Sequence, residues 1–228
     1  MSIAENLSRI KGNIAEAALR SGRNPEDVKL IGVTKTIDVE RIRALIDLGV
    51  NDLGENRPQE LDEKYRYLGE GPRWHMIGHL QTNKVKQIID KTVLIHSVDS
   101  LRLAEEINRR AGEAGLVKDI LAEINIASEP SKYGVNPDDT SEFVGKLVNL
   151  TNINVRGLMC IAPYVDEPGK NRIYFAKLRQ IFIDIKNKYV HNTDILDLSM
   201  GMTNDYEIAV EEGATMVRIG TGIFGSRA

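Results

Sequence analysis

The stretch VKLIGVTK, residues 28–35, has the pattern of a buried strand in a parallel sheet. It is short, almost continuously apolar and rich in β-branched residues, as expected for a strand covered on both faces. Lys35 stands at its carboxyl end, before a predicted helix, where α/β proteins usually carry their chemistry. In a dry pocket its amine would be partly neutral and could form a Schiff base with an aldehyde. The alternative is a strand-end lysine that reaches solvent.

Seven further strand patterns follow, separated by helical patterns, with a spacing of roughly 25 residues. They lie at Leu53-Gly54, 74–78, 92–98, 120–126, 153–163, 194–200 and 215–220. Alternating strands and helices predict parallel βαβ units. The count favours an α/β fold of the closed (β/α)8 TIM barrel type over an open doubly wound sheet, with an extra N-terminal helix at 2–21. We expect residues 1–228 to form a single domain.

The composition excludes several classes of protein. The net charge is −3, with 30 basic and 33 acidic residues interspersed, which argues against a nucleic-acid surface. Cys160 is the single cysteine, so no internal disulfide can form, and we predict that it is a buried small hydrophobe rather than a nucleophile. No stretch resembles a signal peptide or a membrane span. We expect a cytoplasmic monomer with no membrane partner.

Two glycine-bearing segments follow the predicted seventh and eighth strands, where barrels commonly bind a phosphate. They read LSMGM (198–202) and RIGTGIFG (218–225). Their hydroxyl and glycine residues suit an anion, because glycine lets backbone N–H groups approach it closely. These residues are Ser199, Gly201, Gly220, Thr221 and Gly222. The alternative is a pair of tight turns with no ligand.

Arg218 lies within the apolar strand pattern MVRIG, so burial requires a partner for its charge. One interpretation is a structural ion pair with Glu123 or Asp197. The other is contact with a heteroaromatic ring nitrogen, which the guanidinium would keep unprotonated. A lysine on the first strand, phosphate loops at the last two and an arginine near a ring together fit pyridoxal phosphate.

Five segments carry a resemblance to a known family: GVTKT (32–36), LGEN (53–56), WHMIGHLQTNKVKQI (74–88), RGLMCIAP (156–163) and LSMGMTNDYEIAVEEGATMVRIGTGIFG (198–225). Together they resemble the pyridoxal phosphate homeostasis protein family over essentially the whole chain. The resemblance implies an alanine-racemase-like barrel, known as fold type III among pyridoxal phosphate proteins. It also implies that Lys35 carries pyridoxal 5'-phosphate.

The resemblance also implies roles for individual residues. The phosphate would be held by Ser199, Gly201, Gly220 and Thr221. Arg218 would face the ring nitrogen, Asn56 would lie beside the ring, and His79 and Met159 would line the pocket. Most members of the family have serine where this chain has Thr34 and Thr203, and both changes keep the hydroxyl.

Three functions are compatible with this interpretation. The favoured one is a carrier without catalytic turnover, which supports vitamin B6 homeostasis and the balance of amino-acid metabolism and supplies pyridoxal-phosphate-dependent apoenzymes or a regulatory protein. A racemase would need a second base, which related racemases take from an added domain and a partner subunit. The tyrosines predicted in loops at the carboxyl face are Tyr133 and Tyr164. The third possible function is that of an aldolase, in which the lysine would act on a sugar phosphate.

Two polar features are expected to be structural. His75 and His79 are four residues apart across a strand end, which argues against a metal pair. Lys84 and Lys86 are predicted on the surface of a helix that includes Val85 to Ile89, with a partner or anion role left open for this segment. We therefore predict no metal site.

Overall fold

Eight parallel strands close into a barrel in the order in which they occur along the chain. The computed structural model describes residues 2–189 and 195–225. The strands are β1 Lys29–Val33, β2 Asp52–Glu55, β3 Arg73–Met76, β4 Thr92–Val98, β5 Lys118–Ile124, β6 Ile153–Cys160, β7 Asp197–Met202 and β8 Met216–Ile219. β1 pairs with β8 and completes the ring, which confirms the predicted (β/α)8 TIM barrel.

α-Helices connect most of the strands, and one more helix stands at each end of the series. They are α1 Ile3–Arg20 before β1, then the connecting helices α2 Val39–Asp47, α3 Pro58–Leu68, α4 Leu101–Glu113, α5 Thr140–Leu147, α6 Arg172–Lys188 and α7 Tyr206–Glu211, and α8 Thr221–Phe224 after β8. Short 3-10 turns precede β1, α5 and α6. α1 precedes the first strand, as predicted for the extra N-terminal helix.

The connection between β3 and β4 differs from its prediction. It contains a 3-10 helix, Thr82–Gln87, and not the α-helix expected over Val85 to Ile89. Its hydrogen bonds span three residues, as from the Lys84 N–H to the Gln81 carbonyl (2.9 Å). The tighter helix ends at Gln87, and the chain enters β4 at Thr92 with Ile88 and Ile89 already buried, so the segment expected as an α-helix serves as the entry to that strand.

Several strand ends also differ from the predicted ones. β1 ends two residues before Lys35, and β5 and β6 end before residues 126 and 163. β7 continues to Met202 because it pairs with β8 as far as Arg218, so the segment 198–202 is strand and not loop. The predicted start of this strand, residue 194, lies outside the described residues.

α1 packs against α7 and α8 and supports the last two units of the barrel. Ser2 and Glu5 form a capping box at its start, which satisfies otherwise unpaired N–H groups. Its buried face includes Leu7, Ile10 and Ile14. The Asn6 amide donates to a carbonyl of α8, that of Ile223 (3.0 Å). α1 thus fixes α8, the element that follows β8 at the barrel mouth.

The core has two apolar parts. The larger lies between the strands and the helices, and its bulky members include Trp74 and Phe175. The smaller lies inside the barrel and is called the apolar cluster here; it consists of Ile31, Leu94, Leu121, Met159 and Met216. Side chains two apart on a strand share a face, so residues two beyond members of this cluster also point into the barrel.

Candidate functional site

A cavity of about 1050 Å³ opens at the carboxyl ends of the strands. Four of the predicted site residues line it: Lys35, Arg218, Gly220 and Thr221. They come from the ends of β1 and β8, which are neighbours in the barrel. The structure therefore brings together the amine, the guanidinium and one of the two predicted phosphate segments, although they are far apart in sequence.

The loop that carries Lys35 is held on both sides of the lysine. The Thr34 carbonyl accepts a hydrogen bond from the Lys64 ammonium (2.6 Å), and the Thr36 N–H donates to the Glu60 carboxylate. Thr36 has φ +63°, a left-handed conformation that is rare for residues other than glycine. Such a conformation persists only where neighbours enforce it, and it turns the chain so that Lys35 reaches the cavity.

A buried ion pair lies behind this loop. The Lys64 ammonium contacts the carboxylates of Glu55 and Glu60 at 2.7 Å each, and the Thr34 hydroxyl donates to Glu55 (2.5 Å). Burial raises the pKa of Glu55, whereas Lys64 and Thr34 oppose that rise. Sequence reasoning missed this support. The available signal was a glutamate directly after Leu53-Gly54, at the carboxyl end of a short strand, because a buried carboxylate requires a partner.

Arg218 is buried beneath the cavity and still lines it. One of its terminal nitrogens, Nη1, donates to the Ser199 hydroxyl (2.5 Å), and Nη2 donates to the Cys160 carbonyl (2.8 Å). The predicted ion pair with Asp197 is wrong, because Asp197 faces Arg156 instead (3.5 Å).

The other predicted ion-pair partner, Glu123, makes no salt bridge with Arg218 within 4.0 Å among the described residues. Burial and the charge of Asp99 raise the pKa of Glu123 and Arg218 opposes them, which leaves that pKa at about 7. Its Oε2 atom is buried and has no hydrogen-bond partner in the described part of the chain. Near neutral pH this carboxyl group is therefore partly protonated, which reduces the cost of leaving it unpaired.

Hydroxyl groups from the turn after β7 and from the start of α8 meet beside Gly220. The Thr221 and Thr203 hydroxyls are 3.2 Å apart, and the Gly222 N–H donates to the Thr203 oxygen (3.2 Å). A Cβ atom on Gly220 would lie 3.2 Å from the Val33 carbonyl oxygen, so the absence of a side chain lets the two strand ends approach. This wall offers hydroxyl donors to an anion. Thr203 lines the cavity but was not assigned a binding role from the sequence.

Ser199 and Gly201 lie within β7, and neither lines the cavity. The Ser199 hydroxyl is fully buried between Arg218 and His96, 3.0 Å from the His96 Nδ1 atom. Gly201 has φ +89°, and a Cβ there would lie 2.5 Å from the Cβ of Ala209. Because Gly201 has no side chain, α7 can pack closely on β7 at this point. The assignment of both residues to a phosphate stays a prediction.

The remaining predicted residues also lie outside the cavity lining. Asn56 follows β2 and is half-buried. His79 stacks on Tyr133 with ring centroids 3.6 Å apart, and its Nδ1 atom lies 3.2 Å from Asp99. Met159 is buried within the apolar cluster. Contacts of these three residues with a ligand stay predictions.

Cys160 and the tyrosines bear on the catalytic alternatives. Cys160 is buried, as predicted, and burial raises the pKa of its thiol to about 12, which disfavours the reactive thiolate. Tyr164 lines the cavity and is 82% exposed. Tyr174 also lines it and was missed from the sequence, where it was assigned to a helix.

The residues that the structure describes contain no group of three or more His, Cys, Asp or Glu side chains placed to hold a metal ion. None of their helices combines the length and the apolar character that a bilayer crossing requires.

Comparisons with known proteins agree over nearly the whole chain. The family model described as the N-terminal domain of alanine racemase matches residues 6–228. A pyridoxal phosphate homeostasis protein of Aquifex aeolicus is 45% identical over 228 residues, covering 100% of this chain and 99% of that protein. A protein of the same description from Escherichia coli K12 is 36% identical, covering 99% and 97%.

Solved structures give the same picture. PipY of Synechococcus elongatus, solved with pyridoxal phosphate bound, is 34% identical with a TM-score of 0.84, covering 98% of this chain and 100% of that one. An alanine racemase of Clostridium difficile is 20% identical with a TM-score of 0.74, covering 99% of this chain and 57% of that one. The second likeness concerns the fold alone.

Proposed function

We propose that this chain, which belongs to the alanine racemase N-terminal domain family and groups there with the pyridoxal phosphate homeostasis proteins, binds pyridoxal 5'-phosphate in the cavity at its barrel mouth. Lys35 holds the cofactor as a Schiff base. The protein acts in intracellular vitamin B6 homeostasis and amino-acid balance, without catalytic turnover. It works as a single domain, 1–228, in the cytoplasm and as a monomer.

One observation carries the proposal: an amine, a buried guanidinium and a hydroxyl-bearing glycine turn share the wall of one cavity. A phosphorylated pyridine aldehyde needs those three kinds of group. Lys35 supplies the amine, Arg218 a donor for the ring nitrogen, and Gly220 with Thr221 a cradle for the phosphate. The Thr203 hydroxyl, which contacts that of Thr221, is a further donor for the phosphate.

The arginine favours storage of the cofactor over catalysis with it. When bound, pyridoxal phosphate supplies an electrophilic carbon and an electron sink that is strongest with a protonated ring nitrogen. A guanidinium stays protonated and can only donate, so Arg218 leaves that nitrogen unprotonated. The site thus keeps a reactive aldehyde bound in a form poorly suited to carbanion chemistry.

A racemase activity remains the alternative, because Tyr164 lines the same cavity. Its high exposure argues against it as a base, since water competes for its hydroxyl and weakens electrostatic stabilisation. Racemisation of alanine or serine by the purified protein, abolished in Tyr164→Phe, would replace the carrier proposal. An aldolase-type site for a sugar phosphate would give a colourless protein.

The direct experiment is visible spectroscopy of the protein loaded with pyridoxal phosphate, followed by borohydride reduction and peptide mapping. We expect the label on Lys35, and we expect complete loss of the visible band in Lys35→Ala. Lys84→Ala is the matched control, since Lys84 lies outside the cavity lining and should keep the band. Lys132 also lines the cavity, so a label there would contradict the assignment.

The carrier role has its own test. The loaded protein should reactivate a pyridoxal-phosphate-dependent apoenzyme, whereas loaded and reduced protein should not, because reduction makes the bond to Lys35 permanent. Equal reactivation by both forms would mean that only loosely bound cofactor is transferred. Failure of both would remove the apoenzyme as a recipient.

A further inference from the structure

Five polar side chains form a continuous row of hydrogen bonds inside the barrel, called the polar row here. The row begins at Asp52, whose Oδ1 atom is 2.9 Å from the His75 Nε2 atom. The His75 Nδ1 atom is 3.0 Å from the His96 Nε2 atom. The His96 Nδ1 atom is 3.0 Å from the Ser199 hydroxyl, which accepts from Arg218 at 2.5 Å.

The polar row crosses the barrel from one end to the other. Asp52 is the first residue of β2, at the amino-terminal end of the strands. Arg218 lies near the opposite end of β8 and lines the cavity. Both histidines and Ser199 are almost completely buried. A line of polar groups with this degree of burial is costly unless every link is satisfied.

Chemistry fixes both ends of the polar row. A guanidinium can only donate hydrogen bonds, and an ionised carboxylate can only accept them. Burial raises the pKa of Asp52, but its hydrogen bonds with His75 and Arg73 outweigh burial and lower it, so the carboxylate is ionised at neutral pH. Burial favours the neutral form of both histidines, so each imidazole has one donor and one acceptor nitrogen, and every donor then points from Arg218 toward Asp52.

This direction determines the tautomer of each histidine. His75 donates from Nε2 to Asp52, so its Nδ1 atom accepts. His96 donates from Nε2 to that atom, so its own Nδ1 accepts from the Ser199 hydroxyl. All four links then have one donor and one acceptor. A proton added to His96 would point a second donor at the Ser199 oxygen.

We infer that the polar row is a one-way hydrogen-bond device in which His75 and His96, both as neutral Nε2–H tautomers, position Arg218 through Ser199. The charge of Arg218 at the cavity is thereby linked to that of Asp52 at the far end of the barrel. The two histidines are positioning residues. Their effect on a bound ring rests on the proposed function, whereas the direction of the row does not.

Nuclear magnetic resonance of the ligand-free protein labelled with ¹⁵N tests the direction of the row. We expect both histidines to be neutral with the proton on Nε2 from pH 6 to 8, and these protons to exchange slowly with water. Charged groups around them act in both directions: Asp52 favours protonation of His75, whereas Lys29, Arg73 and Arg218 oppose protonation of the pair. An Nδ1–H tautomer or an imidazolium at pH 7 would overturn the inference.

Binding of pyridoxal 5'-phosphate tests the positioning role. His96→Phe removes the acceptor for Ser199, and we expect about tenfold weaker binding and a shifted visible band, as follows from one lost buried hydrogen bond. In His96→Asn the side-chain oxygen can replace Nδ1, so both properties should return toward those of the wild type. Thr92→Val is the control: it removes a buried hydroxyl of the same strand that bonds to the Ile88 carbonyl, outside the row.

The outcomes separate the two proposals. Equal affinity and an identical band in His96→Phe and Thr92→Val, with both variants folded by circular dichroism, would overturn the positioning role. Retention of the visible band in Lys35→Ala would overturn the proposed function, and the histidine tautomers of the ligand-free protein would still test the row.

Discussion

The inside of the barrel holds two contrasting regions, the apolar cluster and the polar row, and two strands, β4 and β8, contribute to both. On β4, Leu94 belongs to the cluster and His96 to the row. On β8, Met216 belongs to the cluster and Arg218 to the row. Two residues further along the same strand, the interior thus changes from apolar side chains that fill space to polar side chains that pair as hydrogen-bond donors and acceptors.

The difference shows how the barrel separates stability from specificity. An apolar cluster tolerates rearrangement as long as its volume is kept, because dispersion and the hydrophobic effect have little direction. A polar row requires one partner at one distance for each group. We therefore expect substitutions in the cluster to change mainly the free energy of unfolding, and substitutions in the row to change mainly the properties of Arg218.

The largest effect on stability is expected for Leu121→Ala in the apolar cluster. Loss of buried methyl and methylene groups leaves a cavity, which should lower the free energy of unfolding by about 2–5 kcal/mol. Urea unfolding measures this loss, and Leu121→Met, which nearly conserves volume, should cost below about 1.5 kcal/mol. The histidine tautomers should not change in either variant. A changed tautomer would mean that the two regions are not independent.

A smaller loss is expected for Ser199→Ala in the polar row. This change leaves the Nη1 donor of Arg218 and the Nδ1 acceptor of His96 without their partner, at a cost of about 1–3 kcal/mol. Unlike Leu121→Ala, it should also alter the ¹⁵N signals of His96. Unfolding measured beside these spectra checks both expectations, and an unchanged His96 signal would contradict the proposed link.

The smallest effect concerns pH. Burial lowers the pKa of His75 and of His96, so the unfolded chain binds more protons than the folded one below about pH 6.5. These two residues therefore contribute stability that is present above that pH and is lost as the pH falls. Glu123 acts in the opposite direction, because its raised pKa favours the folded state at lower pH.

The difference between wild type and His96→Asn isolates the histidine contribution. Glu123 is present in both proteins, so its effect cancels in the difference. We expect the stability advantage of wild type to shrink as the pH is lowered from 7.5 to 5.5 in urea unfolding. A constant difference over this range would show that His96 is not held neutral by the fold.

The sequence was sufficient to predict the barrel because its strand and helix patterns alternate without interruption. It also predicted the positions of Lys35, Arg218 and Thr221 at one mouth, since the carboxyl ends of parallel strands meet there. It could not show that Thr203, and not Ser199, lines the cavity. The two residues are four apart, and only the pairing of β7 with β8 shows that the strand ends between them.

The polar row was beyond sequence reasoning for a similar reason. His75 was considered with His79, four residues away, whereas its partner His96 lies on the neighbouring strand. The register that brings them together includes a shift between Trp74 and His75, which no local pattern predicts. Partners of buried polar groups thus depend on strand register, whereas the apolar character of a strand does not.

The crystal structure of the protein grown with pyridoxal 5'-phosphate tests the central claim most directly. The account predicts continuous electron density from the Lys35 side chain to the cofactor. It also predicts that the ring nitrogen faces Arg218 and that the phosphate lies against Gly220 and Thr221. Density joined to Lys132 or to another lysine, or a cofactor outside this cavity, would contradict it.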